Sequence, residues 1–199
     1  MSRWTIAAAA CALWLSAGPV AAEPFQNYID LCLETQANRL EAGAKAKAAG
    51  WYLIPAGSID LGDETFRDPA LYMNVDPADL TDKGEPADFD VLMTGWGAGE
   101  VFGVSGVRVD ACMIMSDSTD AATLRSQLQT WLNIEPFDLD GEEAWLFSRE
   151  GSGFRSEAAL MDLEESELPR IAREKKVFIA AVIPAEDMSG LMLAIFRGD

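Results

Sequence analysis

Few residues in this 199-residue chain are equipped for chemistry, and histidine is not among them, for the sequence contains none. That excludes a Ser-His-Asp triad, a Cys-His dyad and any histidine-ligated zinc or haem site. What is left is three cysteines, 33 acidic residues against 15 Lys and Arg, and a few glycine-rich segments. Paired carboxylates can serve as general acid and base, as in glycoside hydrolysis. In so acidic a chain close pairs arise by chance, so spacing singles out no pair. A carboxylate-only hydrolase is therefore an alternative reading rather than the leading one.

The glycine-rich segments fare no better as catalytic motifs. Gly95-Trp96-Gly97-Ala98-Gly99 resembles a phosphate loop, but it lacks the GxGxxG spacing and the Walker lysine, and it leads into Val101-Phe102 rather than a helix. We read it as a strand-connecting loop that offers Trp96 to a ligand or partner. A periplasmic small-ligand-binding protein is the alternative that this loop supports. Gly103-Val104-Ser105-Gly106 approaches a nucleophile elbow, yet Val107 occupies the last glycine position and no histidine exists to activate the serine. In Asp138-Leu139-Asp140-Gly141-Glu142-Glu143, an EF-hand frame would place Pro136 and Phe147 at ligating positions. Asp140-Gly141 therefore reads as a hairpin turn between Phe137–Leu139 and Glu143–Phe147. No catalytic residue, cofactor or metal ligand is expected.

The cysteines follow from the address at the N-terminus. Arg3, the apolar run from Ile6 to Leu15 and the small residues Val20-Ala21-Ala22 have the form of a signal peptide cleaved near Ala22. A ten-residue apolar run spans about 15 Å as helix, roughly half a bilayer core, so no integral membrane segment is expected in the mature chain. The expected location is periplasmic or secreted. Cleavage removes Cys11 and leaves Cys32 and Cys112, an even number in an oxidising compartment, which predicts a disulfide between them.

Charge bears on partners. The net charge of −18 becomes −19 in residues 23–199, where fourteen cations face 33 acids. Such a surface repels nucleic acid and anionic membranes and steers basic partners. The acids are densest in residues 55–88, an excursion with four prolines and three glycines, read as extended with one helical turn near Asp76–Leu80. From Asp60 to Asp90 there are ten acids against Arg67 and Lys83. Asp60, Asp63, Glu64, Asp68, Asp76 and Asp79, with Trp96, are the candidate partner contacts.

The elements that position these residues are legible in outline. A helix is predicted from Pro24 to the C′ residue Gly50, with Phe25, Tyr28, Ile29, Cys32, Gln36 and Leu40 on one stripe and Glu41–Lys45 as an i,i+4 pair. Trp51–Ile54 is a short strand, with Trp51 packing back on the helix. Strands are expected at Phe89–Thr94, Glu100–Val104 and Val107–Met115. In the last of these Val107, Val109, Ala111, Met113 and Met115 share one face and Arg108, Asp110 and Cys112 the other. A bond from Cys32 to Cys112 would then lay the first helix on that second face. A helix over Thr119–Leu132 is capped by Ser118 or Thr119 and buries Ala121, Leu124, Leu128, Trp131 and Leu132; Trp145 is a core residue in the strand that follows. A third helix covers residues 164–176. Val177–Ile183 and Leu191–Phe196 are apolar enough to be central strands, joined by Pro184–Gly190.

This order specifies an α+β fold: a mainly antiparallel sheet with helices packed on one face, a single domain over residues 23–199, and one disulfide. The leading functional expectation is an exported, non-enzymatic acidic domain that binds a protein partner, as an inhibitor, immunity or accessory protein does.

Overall fold

A computed structural model of the chain describes residues 23–55, 66–75, 88–98, 107–139, 141–163, 167, 170–171 and 174–197. The expected signal peptide, the expected strand Glu100–Val104 and most of the acidic excursion, including its expected helical turn near Asp76–Leu80, lie outside the described residues. Nine strands form one antiparallel sheet: β1 (Tyr52–Ile54), β2 (Phe66–Met73), β3 (Asp90–Ala98), β4 (Arg108–Ser116), β5 (Phe137–Leu139), β6 (Glu142–Glu150), β7 (Gly153–Ser156), β8 (Phe178–Pro184) and β9 (Ser189–Arg197). Their order is β1-β2-β3-β4-β9-β8-β6-β5, with β7 hairpinned onto β6. The two apolar C-terminal strands are central, as their composition predicts, and the Asp138–Gly141 turn joins β5 to β6, with Gly141 at φ +92° and its N–H on the Asp138 carboxylate.

The helices are α1 (Pro24–Tyr28), which runs on into a π-helical turn (Ile29–Leu33), α2 (Arg39–Ala48) and α3 (Ala121–Leu132). The single helix expected from Pro24 to Gly50 is therefore two. Gln36 and Ala37 have φ of +53° and +54°, a left-handed conformation that no helix continues through. Asn38 then caps α2, accepting the Glu41 N–H. The break turns Leu40 out to 74% exposure and gives Lys45 to Glu34 at 2.8 Å instead of Glu41. The far end is as read: Gly50, at φ +86°, donates to Lys47 O and Trp51 donates to Ala46 O, the paired bonds of a Schellman cap, with Trp51 buried beneath.

Cys32 and Cys112 are bonded, both fully buried. The bridge fastens the π-turn to β4 on its Arg108–Asp110–Cys112 side, the side that alternation assigns. Tyr28, Leu31, Cys32, Ala46, Leu124, Leu128 and Leu132 join one apolar cluster with Leu92, Ile114, Trp145, Phe147, Phe178, Leu191, Leu193 and Ile195. The intervening strand residues Val109, Ala144, Leu146, Ile179 and Ala194 form a second cluster with Leu160, from a 3-10 turn (Ala158–Asp162), and Ile171. In α3 the cap is Asp120 rather than Ser118 or Thr119; its carboxylate accepts the Thr123 N–H at 2.7 Å. Residues 170, 171 and 174 of the expected third helix are helical, and Arg170 pairs with Glu174 at 2.9 Å.

Two local expectations give way to pairing. β2 runs through the middle of the acidic excursion, where Pro and Asp argue against a strand. The strand accommodates Pro69 by a bulge between Arg67 and Ala70, with Asp68 at φ +49°. Likewise Gly95–Ala98 is not a loop but the end of β3, paired with β4 through Gly95↔Ala111, Trp96↔Asp110 and Gly97↔Val109. A Cβ on Gly95 would run into the Phe66 ring, so this glycine makes room for a neighbouring strand's side chain rather than for flexibility.

Among the described residues no helix is long and apolar enough to cross a membrane.

Candidate functional site

Of the expected contacts, Asp60, Asp63, Glu64, Asp76 and Asp79 lie outside the described residues. The structure brings the other two together: Trp96 donates its Nε1–H to Asp68 at 2.9 Å. The indole is only partly buried, and the Arg67 and Arg108 guanidinium groups stand 5.3 and 4.7 Å from its centroid. Arg108 and Arg197 converge in turn on Asp110, at 2.7 and 2.9 Å. Trp96 thus makes two cation–π contacts.

Two concavities lie elsewhere, on either side of Arg149. The first is a groove of about 450 Å³ between the π-turn, the C-terminal end of α3 and the β6–β7 hairpin. The π-turn contributes Ile29 and Leu33, and Glu34 closes it with the N–H to Ile29 O bond of a five-residue repeat. Helix α3 contributes Trp131 and Leu132 and stops at Asn133, whose φ of +52° ends the helix as asparagine readily does. Across from them stands Phe154, its ring centroid 4.5 Å from that of Trp131. Trp131, assigned to the core by its helical spacing, packs against the core yet sits partly exposed on the wall of this groove. The aromatic row continues inward from Phe154 to Phe147 at 5.4 Å and Phe178 at 5.3 Å beyond it. Arg149 caps the row 6.0 Å from the Phe154 centroid and donates to Leu33 O at 3.2 Å.

The second concavity, of about 290 Å³, is lined by Gln36, Ser148, Arg149, Arg155, Lys175, Lys176 and Phe178. Its fixed point is Glu157, buried just behind it. One carboxylate oxygen accepts from Ser148 at 2.6 Å and from Arg155 at 2.8 Å, and the other from Lys175 at 2.5 Å. Burial pushes the Glu157 pKa up, but the Lys175, Ser148 and Arg155 hydrogen bonds outweigh it and hold the carboxyl at about 2. A depressed carboxyl pKa stabilises the fold above its unfolded value near 4.5 and loses that contribution as pH falls toward 2. Glu157→Gln is thus expected to lower stability by about 2 kcal/mol at pH 6, and by almost nothing at pH 2. Urea titrations at the two pH values check this; equal deficits at both would contradict it.

A third pocket, of about 300 Å³, joins Asn74, Asp88, Asp90, Thr123 and Gln127. Burial, aided by the neighbouring charges of Asp117 and Asp88, raises the Asp90 pKa against opposing hydrogen bonds from Ser116 and Asn27. The Asn27 bond is 2.6 Å long.

The cations around Arg149 are not among the contacts that composition singles out. A signal was present, since six of the fourteen cations in residues 23–199 fall between 149 and 176. It was diluted because seven acids share that interval and only folding separates the two sets. Compared with known protein families, curated proteins and solved structures, the chain matches none.

Proposed function

We propose that this chain is an exported, non-enzymatic binding domain whose helical layer covers one face of the sheet, and that it engages a protein partner through the groove of Trp131, Phe154 and Arg149. The carrying observation is that groove itself. It combines a half-buried aromatic pair, an arginine beside it and an aliphatic floor from Ile29 and Leu33. Trp and Arg in well-packed pockets dominate protein–protein binding energies. The net charge of −18 favours a basic partner, because it steers the encounter without fixing the docked pose. Asp60, Asp63, Glu64, Asp76 and Asp79 would contribute to that steering. An apolar side chain of the partner would enter between Trp131 and Phe154.

The test is capture of a partner from the exported fraction by the tagged full chain, followed by affinity measurement with variants. Phe154→Ala and Arg149→Ala are each expected to weaken the complex at least about tenfold, with circular dichroism unchanged. Neutralising Asp60, Asp63 and Glu64 should instead slow association and flatten its salt dependence. A captured partner that binds both groove variants at full affinity would overturn the groove as the contact. A second reading, a small-ligand binder, is favoured by the groove volume of about 450 Å³, which is within the range of such sites. Quenching of Trp131 fluorescence by a small molecule that survives removal of all protein partners would select it.

A further inference from the structure

The cationic pocket beside the groove has a chemistry that the protein as a whole opposes. In a chain of net charge −18, Arg149, Arg155, Lys175 and Lys176 line one concavity of about 290 Å³. Three carboxylates act on them among the described residues, one of them Glu34, which is bonded to Lys45 and also feels the charge of Arg149. Glu157 holds Arg155 and Lys175 from behind, and Glu150 lies 3.8 Å from Arg155. Four positive charges face Glu157 and Glu150, with Glu34 shared between Arg149 and Lys45, so the cluster keeps a positive excess. Holding like charges together in a shared pocket is unfavourable unless something of opposite sign compensates them.

The cations are also fixed in place by groups that carry no full charge or that stand behind the pocket. Lys176 donates to Gln36 Oε1 at 2.7 Å and Arg149 to Leu33 O at 3.2 Å. The first acceptor is a side-chain amide oxygen and the second the carbonyl that ends the π-turn, so neither brings a full negative charge to the pocket. Buried Glu157 orients Arg155 and Lys175 from behind. An arginine has five N–H donors and a lysine three, so these bonds engage only part of the donor set. The result is a preorganised cluster of donors with Ser148 at its base.

We propose that this pocket is a binding site for a tetrahedral dianionic oxyanion, a phosphate or sulfate group held by Arg149, Arg155, Lys175 and Lys176. A dianion answers that positive excess, and its several oxygens can accept from four separated donors where a single chloride cannot. The proposal does not depend on what occupies the neighbouring groove. The shared chemistry covers a free ion and an ester on a larger molecule. Arg149 borders both concavities, so an aryl ester bound here would bring its ring within reach of Phe154.

The test is a two-dimensional amide NMR titration of the full, disulfide-bonded chain with sodium phosphate, sodium sulfate and phenyl phosphate at constant ionic strength set with sodium chloride. Saturable shifts are expected at Gln36, Ser148 and Lys175 with phosphate and sulfate, and none with chloride. Lys176→Gln and Arg149→Gln should each weaken phosphate binding about tenfold, whereas Lys47→Gln, on α2, should leave it unchanged. Tighter binding of phenyl phosphate than of phosphate identifies an ester as the ligand; equal affinity identifies the free ion. Shifts with phosphate that match those with chloride would overturn the site. So would equal weakening by Lys47→Gln, which would mark general electrostatics.

Discussion

Replacing Cys32 and Cys112 together by alanine is expected to lower stability by about 4–5 kcal/mol, the largest single effect in this molecule. The bridge spans 80 residues of sequence, and closing a loop of that length removes roughly that much conformational freedom from the unfolded chain. The native side points the same way. Both cysteines are fully buried in the main apolar cluster, so two alanines leave space that their neighbours must fill. The bridge also joins the first helical segment to β4, an inner strand of the sheet. For a domain of this size the melting temperature should fall by about 10–15 °C. Calorimetry of the double variant beside the oxidised protein checks it. A shift of only a degree or two would mean that the unfolded chain is already compact or that the native bond offsets its own benefit.

The second large effect runs against propensity. Valine is a better strand residue than glycine by up to about 1 kcal/mol, so Gly190→Val in β9 would be expected from propensity alone to stabilise. The structure reverses the sign. Gly190 lies between β4 and β8, opposite Met115 and Ile183. A Cβ there would stand 2.6 Å from the Ile114 carbonyl oxygen and collide with the Met115 sulfur. The sulfur can move, but the carbonyl belongs to a paired central strand and cannot move without parting the ladder. We expect a loss of about 3 kcal/mol, typical of overpacking in a rigid site. In urea the midpoint should drop by about 1–2 M. An unchanged or raised midpoint would show that β4 and β9 are not held at this separation.

Both effects bear on the candidate site because the disulfide and β9 hold the helix break in place. The end of the π-turn receives Arg149 at Leu33, and the turn that follows receives Arg197 and Lys176 at Gln36. Loosening the π-turn from β4 would let that turn drift and spread the cations that meet there. The disulfide variant should therefore also bind phosphate more weakly, even under conditions where it remains folded.

Several features were legible without coordinates because each depends on near neighbours or on parity. Gly50 and Trp51 form a Schellman cap because their bonds close within six residues. The alternation of β4 identified which face Cys112 occupies, and with it the face on which the first helix must lie. Continuous apolar runs marked β8 and β9 as central, since a strand covered on both faces has no polar side to show. In each case the deciding forces act over a few residues or through the simple period of the backbone.

The features that escaped depend on what lies opposite. Gly95-Trp96-Gly97 carries the composition of a loop, yet β2 and β4 on either side of it supply the hydrogen bonds that make it a strand. Pro69 and Asp68 disfavour a strand, and a bulge absorbs them. The break after Leu33 has no proline or glycine to announce it; distant Arg149 and Arg197 satisfy the carbonyls that a continuing helix would have used. By itself, then, the sequence determined an acidic, histidine-free chain with export-signal character, a pairing of two cysteines and an antiparallel, sheet-rich α+β fold. Only the tertiary structure decided that Arg149, Arg155, Lys175 and Lys176 would gather around one buried glutamate while an aromatic groove opened beside them. Charge composition is a sum over the chain, whereas a site is set by which few charges the strand order brings within a few ångströms.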